Sequence, residues 1–109
     1  MKILITGFQP WDKHRKNPSG EVAKAMGGYL LPVDYAGAGR EIRRLIRRER
    51  PEAIVMLGLA PSRSRIGLEL LALNIDHCEE GRWRRWRRPI VKGPLIRETR
   101  LPWGCPETR

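Results

Sequence analysis

One carboxylate, Glu69, stands inside an otherwise apolar run, IGLELLALNI from Ile66 to Ile75. As an extended segment this run carries apolar side chains on both faces, and a strand of that kind is normally covered on both faces. An ionised carboxylate there would lose favourable hydration, so it must be paired, hydrogen-bonded, held protonated or exposed in a cleft. Each of these environments suits a catalytic acid or base. A position at a sheet edge, or a salt bridge with Arg63 or Arg65, explains the same residue without any chemistry.

The two cysteines are weaker candidates for chemistry. Cys78 and Cys105 form no Cys-x-x-Cys pair and have no neighbouring pair of histidines, so neither a disulfide framework nor a zinc site is indicated. Cys105 lies between a glycine and a proline, with no following helix to stabilise a thiolate. His77 is adjacent to Cys78, but adjacent side chains of an extended segment point to opposite faces. We expect two free thiols, with neither a metal nor another cofactor.

Positive charge is concentrated in two stretches of the chain. Lys and Arg number 22 against 12 acidic residues, which gives a net charge of +10. Between Arg40 and Arg50 the arginines alternate with apolar residues at helical spacing, which predicts a helix with a solvated basic face. In RWRRWRRP, residues 82–89, arginines interleave with Trp83 and Trp86. That composition favours binding of phosphates and stacked bases, or of an acidic partner.

The size and composition are those of one small globular domain. The chain has 109 residues, of which 40% are hydrophobic and 31% are charged. No run approaches the roughly 20 apolar residues that a membrane span requires. The opening MKILITG is too short to be the apolar part of a signal peptide. The sequence therefore predicts a cytoplasmic protein that does not engage a membrane.

Strand and helix patterns alternate along the first half of the chain. This alternation predicts a three-layer α/β fold with a largely parallel sheet, in which functional loops gather at the carboxyl ends of the strands. The segment 77–109 is basic and rich in proline and glycine, and we predict that it is irregular. The predicted strands are Lys2–Thr6, Tyr29–Val33, Ala53–Leu57 and Ile66–Ile75, and the predicted helices run from Asn17-Pro18 to Gly27-Gly28 and from Gly37 to Arg50.

A set of short motifs resembles a known family of cysteine exopeptidases. The motifs are TGFQPW, NPS, LLPVDY, PEAIVMLGLAPSR and IGLELLALNI, followed by PIV, GP and LP. Their order and spacing resemble the N-terminal part of the pyroglutamyl peptidase I, or pyrrolidone-carboxylate peptidase, family. The resemblance implies an α/β/α sandwich with a mostly parallel twisted sheet, here as a single partial domain over 1–109. It also implies removal of N-terminal pyroglutamate from peptides by a cysteine, histidine and glutamate triad, in a cytoplasmic homo-oligomer.

The resemblance assigns roles to five positions. Glu69 falls on the triad glutamate, which orients the histidine. Phe8 and Trp11 fall on two loop aromatics that hold the flat pyroglutamyl ring, and Asn17 falls on the asparagine of the NPS motif. Leu59 lies in the loop whose main-chain groups receive the lactam amide. Judged from the residues alone, Phe8 and Trp11 could instead pin their loop to the core, and Asn17 is explained as a helix cap.

Several departures from the family pattern bear on activity. The nucleophilic cysteine and the histidine belong to the C-terminal half of the family fold, which these 109 residues do not contain. Leu70 replaces an arginine, Asp12 and Lys13 replace paired glycines, and DHCEEGRWRR replaces a stretch that lines the pocket. We therefore predict a truncated or inactive peptidase whose partner is a peptide with N-terminal pyroglutamate.

The main alternative is a non-catalytic module. In that hypothesis the Arg/Trp cluster at 82–88 binds RNA or an acidic partner, whereas the peptidase hypothesis expects no nucleic acid. Both hypotheses leave apolar surface bare where the second half of the family fold would cover the sheet. We expect that surface to cause self-association or low stability.

Overall fold

A computed structural model of the chain describes residues 1–10, 16–80 and 84–98, with the backbone alone at 76–80 and 84–88. The sequence predicts one domain over 1–109, whereas the chain divides into two compact units, Met1–Ser64 and Arg65–Arg109. Within the described ranges, no helix combines the length and the apolar character that crossing a membrane requires.

The first unit alternates strands and helices, as the sequence predicts. The three strands form a parallel sheet in the order β2-β1-β3. The two crossovers run in opposite directions along the sheet, so right-handed connections place α1 and α2 on opposite faces. The predicted α/β fold with a mostly parallel sheet is confirmed. The elements are β1 (Ile3–Phe8), α1 (Pro18–Ala25), β2 (Tyr29–Leu31), α2 (Tyr35–Glu49) and β3 (Ala53–Met56).

The core of this unit lies between the sheet and α2. Leu4 of β1, Leu31 of β2 and Leu45 of α2 are buried together, and Leu45 has no accessible surface. The arginines of α2 are exposed on its other side, which confirms the predicted amphipathic helix. Five partly buried residues complete the cluster: Phe8, Tyr29, Ala38, Ile42 and Ile54.

Helix α2 begins earlier than the sequence predicts, because Asp34 supplies its N-cap. The Asp34 carboxylate accepts a hydrogen bond from the N–H of Gly37, the residue at which the helix was predicted to start. The helix ends as expected before Pro51. Arg50 takes the left-handed C-cap conformation there, with φ of 46°.

Helix α1 lies unusually close to β1, and glycines make that approach sterically feasible. A Cβ atom on Gly7 would overlap the carbonyl oxygen of Ser19, and one on Gly20 would overlap the carbonyl oxygen of Phe8. The backbones of the strand and the helix are therefore in direct contact at this point. Strand β1 also extends to Phe8, beyond the predicted end at Thr6, because Gly7 and Phe8 pair with β2.

The second unit contains four short strands in two antiparallel pairs. Strand β4 (Leu71–Leu73) pairs with β7 (Ile96–Glu98), and β5 (Asp76–Glu80) pairs with β6 (Arg84–Arg88). The segment 77–109 was predicted to be irregular, but its described residues contribute to three of these strands. The β5–β6 register places acidic residues opposite arginines, an arrangement that favours antiparallel pairing.

The predicted strand over Ile66–Ile75 is shorter than expected and is not buried. Only Leu71–Leu73 form a strand, and the leucines between 68 and 73 are 52–66% exposed. The prediction of burial on both faces is therefore wrong for this unit. The physical reason is that, among the described strands, β4 pairs with β7 alone, and a two-stranded ribbon has no second layer of its own to cover either face.

One buried side chain organises the turn that follows β6. Asn74, directly after β4, donates its backbone N–H to the carbonyl of Leu95 at 2.7 Å. Its Oδ1 accepts from the N–H groups of Ile90 and Val91, each at 3.0 Å, and its Nδ2 donates to the Val91 carbonyl at 2.7 Å. The amide of Asn74 thus fastens the 90–91 turn to the end of β4.

Candidate functional site

The carboxyl ends of all three parallel strands open onto one cavity in the first unit. It has a volume of about 250 Å³ and is lined by Phe8, Asn17, Val33, Gly58 and Leu59. Phe8 ends β1, Val33 follows β2, and the glycine and leucine follow β3, while Asn17 precedes α1. The strand order reverses direction at β1, and ligands of open α/β sheets bind at such a switch point. The structure therefore brings together three of the predicted site residues, Phe8, Asn17 and Leu59.

The described lining of the cavity is apolar except for one amide side chain. Phe8, Val33 and Leu59 contribute hydrocarbon, and Asn17 is 98% buried. The Asn17 Oδ1 accepts from the N–H of Ser19 at 3.1 Å and from its hydroxyl at 2.7 Å, and the Nδ2 donates to the carbonyl of Gln9 at 3.2 Å. These bonds confirm the predicted helix cap. An amide carries two N–H donors, and the structure shows one acceptor for the Asn17 Nδ2, the carbonyl of Gln9.

Ser19 is a residue of this region that the sequence reasoning missed. Its Oγ accepts a hydrogen bond from the N–H of Phe8 at 3.0 Å. The next residue, Gln9, donates its N–H to the carbonyl of Leu31 at 3.0 Å, so both sides of the strand end are held. The sequence does contain a signal for this contact, which is the presence of both Gly7 and the NPS motif. Only a residue without a Cβ atom at position 7 allows Ser19 to come this close.

Phe8 lies between the hydrophobic core and the cavity. Its side chain packs against the core cluster of Leu4, Leu31 and Leu45, and it also lines the cavity. The residue was expected in a loop, whereas it is the last residue of β1. A side chain on a strand is held more rigidly than one on a loop, which favours a preformed pocket wall.

The loop after β3 leaves the sheet beside the cavity. The N–H of Leu57 donates to the carbonyl of Thr6 at 2.8 Å, which is the last bond between this segment and β1. The following loop closes a turn through a bond of 3.0 Å from the N–H of Arg63 to the carbonyl of Ala60. Gly58 and Leu59 lie between these two anchors, so their peptide groups border the cavity.

Two predicted site residues remain, Trp11 and Glu69. Trp11 lies outside the described residues, as does Cys105. Glu69 belongs to the second unit, where it lies two residues before β4 and is exposed. The loss of hydration that made this carboxylate conspicuous in the sequence therefore does not occur. Across the described ranges, no group of His, Cys, Asp and Glu side chains could hold a metal ion.

An ion-pair cluster lies at the opposite edge of the parallel sheet. The hydroxyl of Tyr29 donates to Glu49, whose other carboxylate oxygen is 2.9 Å from the Nζ of Lys2. The guanidinium of Arg48 also contacts Glu49, at 3.2 Å. The hydrogen bond from Tyr29 and, next, that from Lys2 lower the pKa of Glu49 to about 2. This carboxylate stays ionised and ties β1, β2 and α2 together, so its role is structural.

Comparison with known proteins identifies the family. Residues 1–83 match the family model described as pyroglutamyl peptidase. A pyrrolidone-carboxylate peptidase of Thermococcus kodakarensis is 36% identical over 84 residues, which cover 69% of this chain and 41% of the relative. One of Bacillus subtilis is 31% identical over 115 residues, covering 93% of this chain and 54% of the relative.

Solved structures agree with the sequence matches. The pyrrolidone carboxyl peptidase of Thermococcus litoralis superimposes with a TM-score of 0.83 at 32% identity, covering 94% of this chain and 53% of that chain. The corresponding protein of Pyrococcus furiosus, in a mutant form, gives the same TM-score at 30% identity. The chain spans about half the length of these relatives. It belongs to the pyroglutamyl peptidase family.

Proposed function

We propose that the chain supplies the ring-binding pocket and the triad glutamate of a peptidase that removes N-terminal pyroglutamate from peptides. The observation that carries the proposal is the cavity of about 250 Å³ at the carboxyl edge of the parallel sheet. Its apolar walls and single amide suit a small flat lactam, which has two apolar faces and one polar edge. Family membership over residues 1–83 supports the same substrate class.

Each lining residue has a distinct proposed contact. Phe8 packs against one face of the lactam ring, and Trp11 is its proposed counterpart on the other face. The second N–H of the Asn17 amide donates to the ring carbonyl. The peptide groups at Gly58 and Leu59 accept the ring N–H. In this arrangement the pocket recognises pyroglutamate by shape and by two hydrogen bonds.

The proposed chemistry is thiol-mediated acyl transfer. A cysteine thiolate attacks the carbonyl carbon of the pyroglutamyl residue, and the histidine transfers a proton to the departing amine. The resulting thioester is hydrolysed by water, which the histidine deprotonates. Glu69 orients the histidine and stabilises its charged form. The cysteine and the histidine come from outside these 109 residues, so the chain alone should not turn over substrate.

The test compares the chain with an extended version. Release of a fluorophore from a pyroglutamyl-linked substrate is measured for residues 1–109 and for the same residues fused to the remaining half of the Thermococcus litoralis relative. We expect activity only in the fusion, and Glu69→Gln should reduce its kcat by at least about 100-fold. Glu52→Gln, an exposed glutamate of the first unit, is the matched control. A folded fusion without activity would contradict the proposal.

A second candidate function is binding of RNA through the Arg/Trp cluster at 82–88. The β5–β6 register counts against it, because Asp76, Glu79 and Glu80 lie opposite three of the arginines of β6. Opposed charges reduce the net positive charge that a phosphate backbone would meet. Affinity for single-stranded RNA should fall steeply with salt if the cluster binds it. An affinity that does not change with salt or with replacement of Arg85 and Arg87 by glutamine excludes this candidate.

Self-association is a further expectation under the proposed function. Ile66 is 99% exposed and Leu73 is 60% exposed, and the three leucines between them are exposed as well. Contiguous apolar surface of this kind favours association of copies or a partner that covers it. Sedimentation velocity should detect dimers or larger species. A compact, stable monomer at high concentration would contradict the expectation.

A further inference from the structure

We infer that Ser19 is a positioning residue for the cavity that Phe8 lines, although Ser19 itself is not part of the lining. Its hydroxyl holds the backbone of Phe8 where β1 and β3 separate, and so it sets the place of the phenyl ring in the cavity. The ligand part of this inference rests on the proposed function. The positional part concerns the protein alone, so it can be tested separately.

The separation of β1 from β3 creates the need for this hydroxyl. The pairing of β1 with β3 ends at Thr6 and Met56, and the last bond joins the N–H of Leu57 to the carbonyl of Thr6. Because hydrogen bonds along a parallel strand alternate between its two neighbours, the N–H of Phe8 faces the side that β3 has left. A buried N–H without an acceptor is strongly unfavourable. Ser19 Oγ supplies the acceptor at 3.0 Å.

The hydroxyl is held in place by a second bond. Ser19 is 94% buried, and its Oγ–H donates to Asn17 Oδ1 at 2.7 Å. The same amide donates to the carbonyl of Gln9, one residue beyond Phe8. The strand end is therefore held at Phe8 and at Gln9 by two side chains of the α1 N-terminus.

This arrangement keeps the pocket open. Without the Ser19 hydroxyl, the Phe8 N–H must find another acceptor, either by moving the strand end or by admitting water. Either change displaces the Phe8 ring from the wall that faces Gly58 and Leu59. Ser19 should thus affect ligand affinity through Phe8, although no ligand atom touches it.

The test uses the 109-residue chain with Ser19→Ala, and Tyr29→Phe as a control that removes one hydroxyl at the opposite edge of the sheet. Amide hydrogen exchange of Phe8 is measured by NMR, and the Kd for pyroglutamide is measured by titration. For Ser19→Ala we expect the Phe8 amide to exchange at least about tenfold faster than in the parent chain, and the Kd to rise about five- to tenfold. Tyr29→Phe should leave both values unchanged.

Several outcomes would overturn the inference. An unchanged Phe8 exchange rate in Ser19→Ala excludes the positional role, and an unchanged Kd excludes its effect on the pocket. If Ser19→Ala does not fold, Ser19→Cys carries the test, because the thiol has a similar size but bonds more weakly. Absence of pyroglutamide binding by the parent chain contradicts the proposed function, while the exchange of the Phe8 amide still decides the positional role.

Discussion

The two compact units use their leucines in opposite ways. In Met1–Ser64, Leu4, Leu31 and Leu45 are buried between the sheet and α2. In the described side chains of Arg65–Arg109, the leucines are exposed and the polar Asn74 is the buried residue. One unit is thus organised by a hydrophobic core, and the other by hydrogen bonds of a single amide and by strand pairing.

The difference follows from the connections between strands. Parallel strands require crossover helices, which cover the sheet from within the same unit. The described residues of the second unit form antiparallel strands of three to five residues and no helix, so they provide no second layer. The first unit can therefore preform a pocket, whereas Glu69 in the second unit is exposed.

The largest expected effect is loss of the core of the first unit. Leu45→Ala should lower the free energy of unfolding by about 3 kcal/mol, because the side chain is fully buried and its removal leaves a cavity. Leu71→Ala in β4 is the matched control and should change it by less than about 0.5 kcal/mol. Urea denaturation followed by circular dichroism measures both. Equal effects would show that the two units do not differ in this way.

Close contact between α1 and β1 predicts the next effect. Gly7→Ala should destabilise the first unit by about 2 kcal/mol, since the new Cβ would overlap the carbonyl of Ser19 and push the helix away. Gly58→Ala has open space around its Cβ and should be nearly neutral in the same denaturation experiment. A neutral Gly7→Ala would mean that the helix can shift without loss of packing.

A smaller, local effect is expected from the buried amide of the second unit. Asn74→Ala removes three side-chain hydrogen bonds to the 90–91 turn. It should lower the free energy of local opening of that turn by about 1–2 kcal/mol. Amide exchange at Ile90 and Val91 should accelerate, while exchange at Leu4 and Leu31 should not change. Faster exchange in both units would contradict separate organisation.

The smallest effect concerns pH. The pKa of Glu49 is lowered from 4.5 to about 2 in the folded chain, so its ionised form stabilises the fold above the unfolded pKa. That contribution is lost as the pH falls from about 4.5 through about 2. Glu49→Gln should flatten the acid dependence of stability in this window, and Glu52→Gln should not. If the pH dependence of the free energy of unfolding is unchanged in Glu49→Gln, this carboxylate does not contribute to acid destabilisation.

Local signals explain how much of the fold was predictable. The helix over Pro18–Ala25 follows from Asn17 and Pro18, which cap and start it, and the amphipathic α2 follows from apolar spacing. The predicted β3 differs from the observed strand by one residue at its end. The prediction of irregular structure over 77–109 was wrong for the described strands. The composition of each segment does not show that β5 and β6 pair with each other.

The candidate site was predictable only in part. Phe8, Asn17 and Leu59 were named from motifs, and they do line one cavity. Ser19 and Val33 were not named, since their places depend on how α1 and β2 pack against β1. The apolar run around Glu69 predicts that this carboxylate is buried, whereas the structure leaves it exposed.

The amino-acid sequence by itself determined the order of strands and helices in the first unit, the cap of α1 and the family, because these depend on short local motifs. Tertiary structure alone decided that Ser19 replaces β3 as the acceptor for Phe8, a contact between residues 11 positions apart. It also decided which leucines are buried. Burial and long-range hydrogen bonds depend on which surfaces meet in three dimensions, and no local pattern records that.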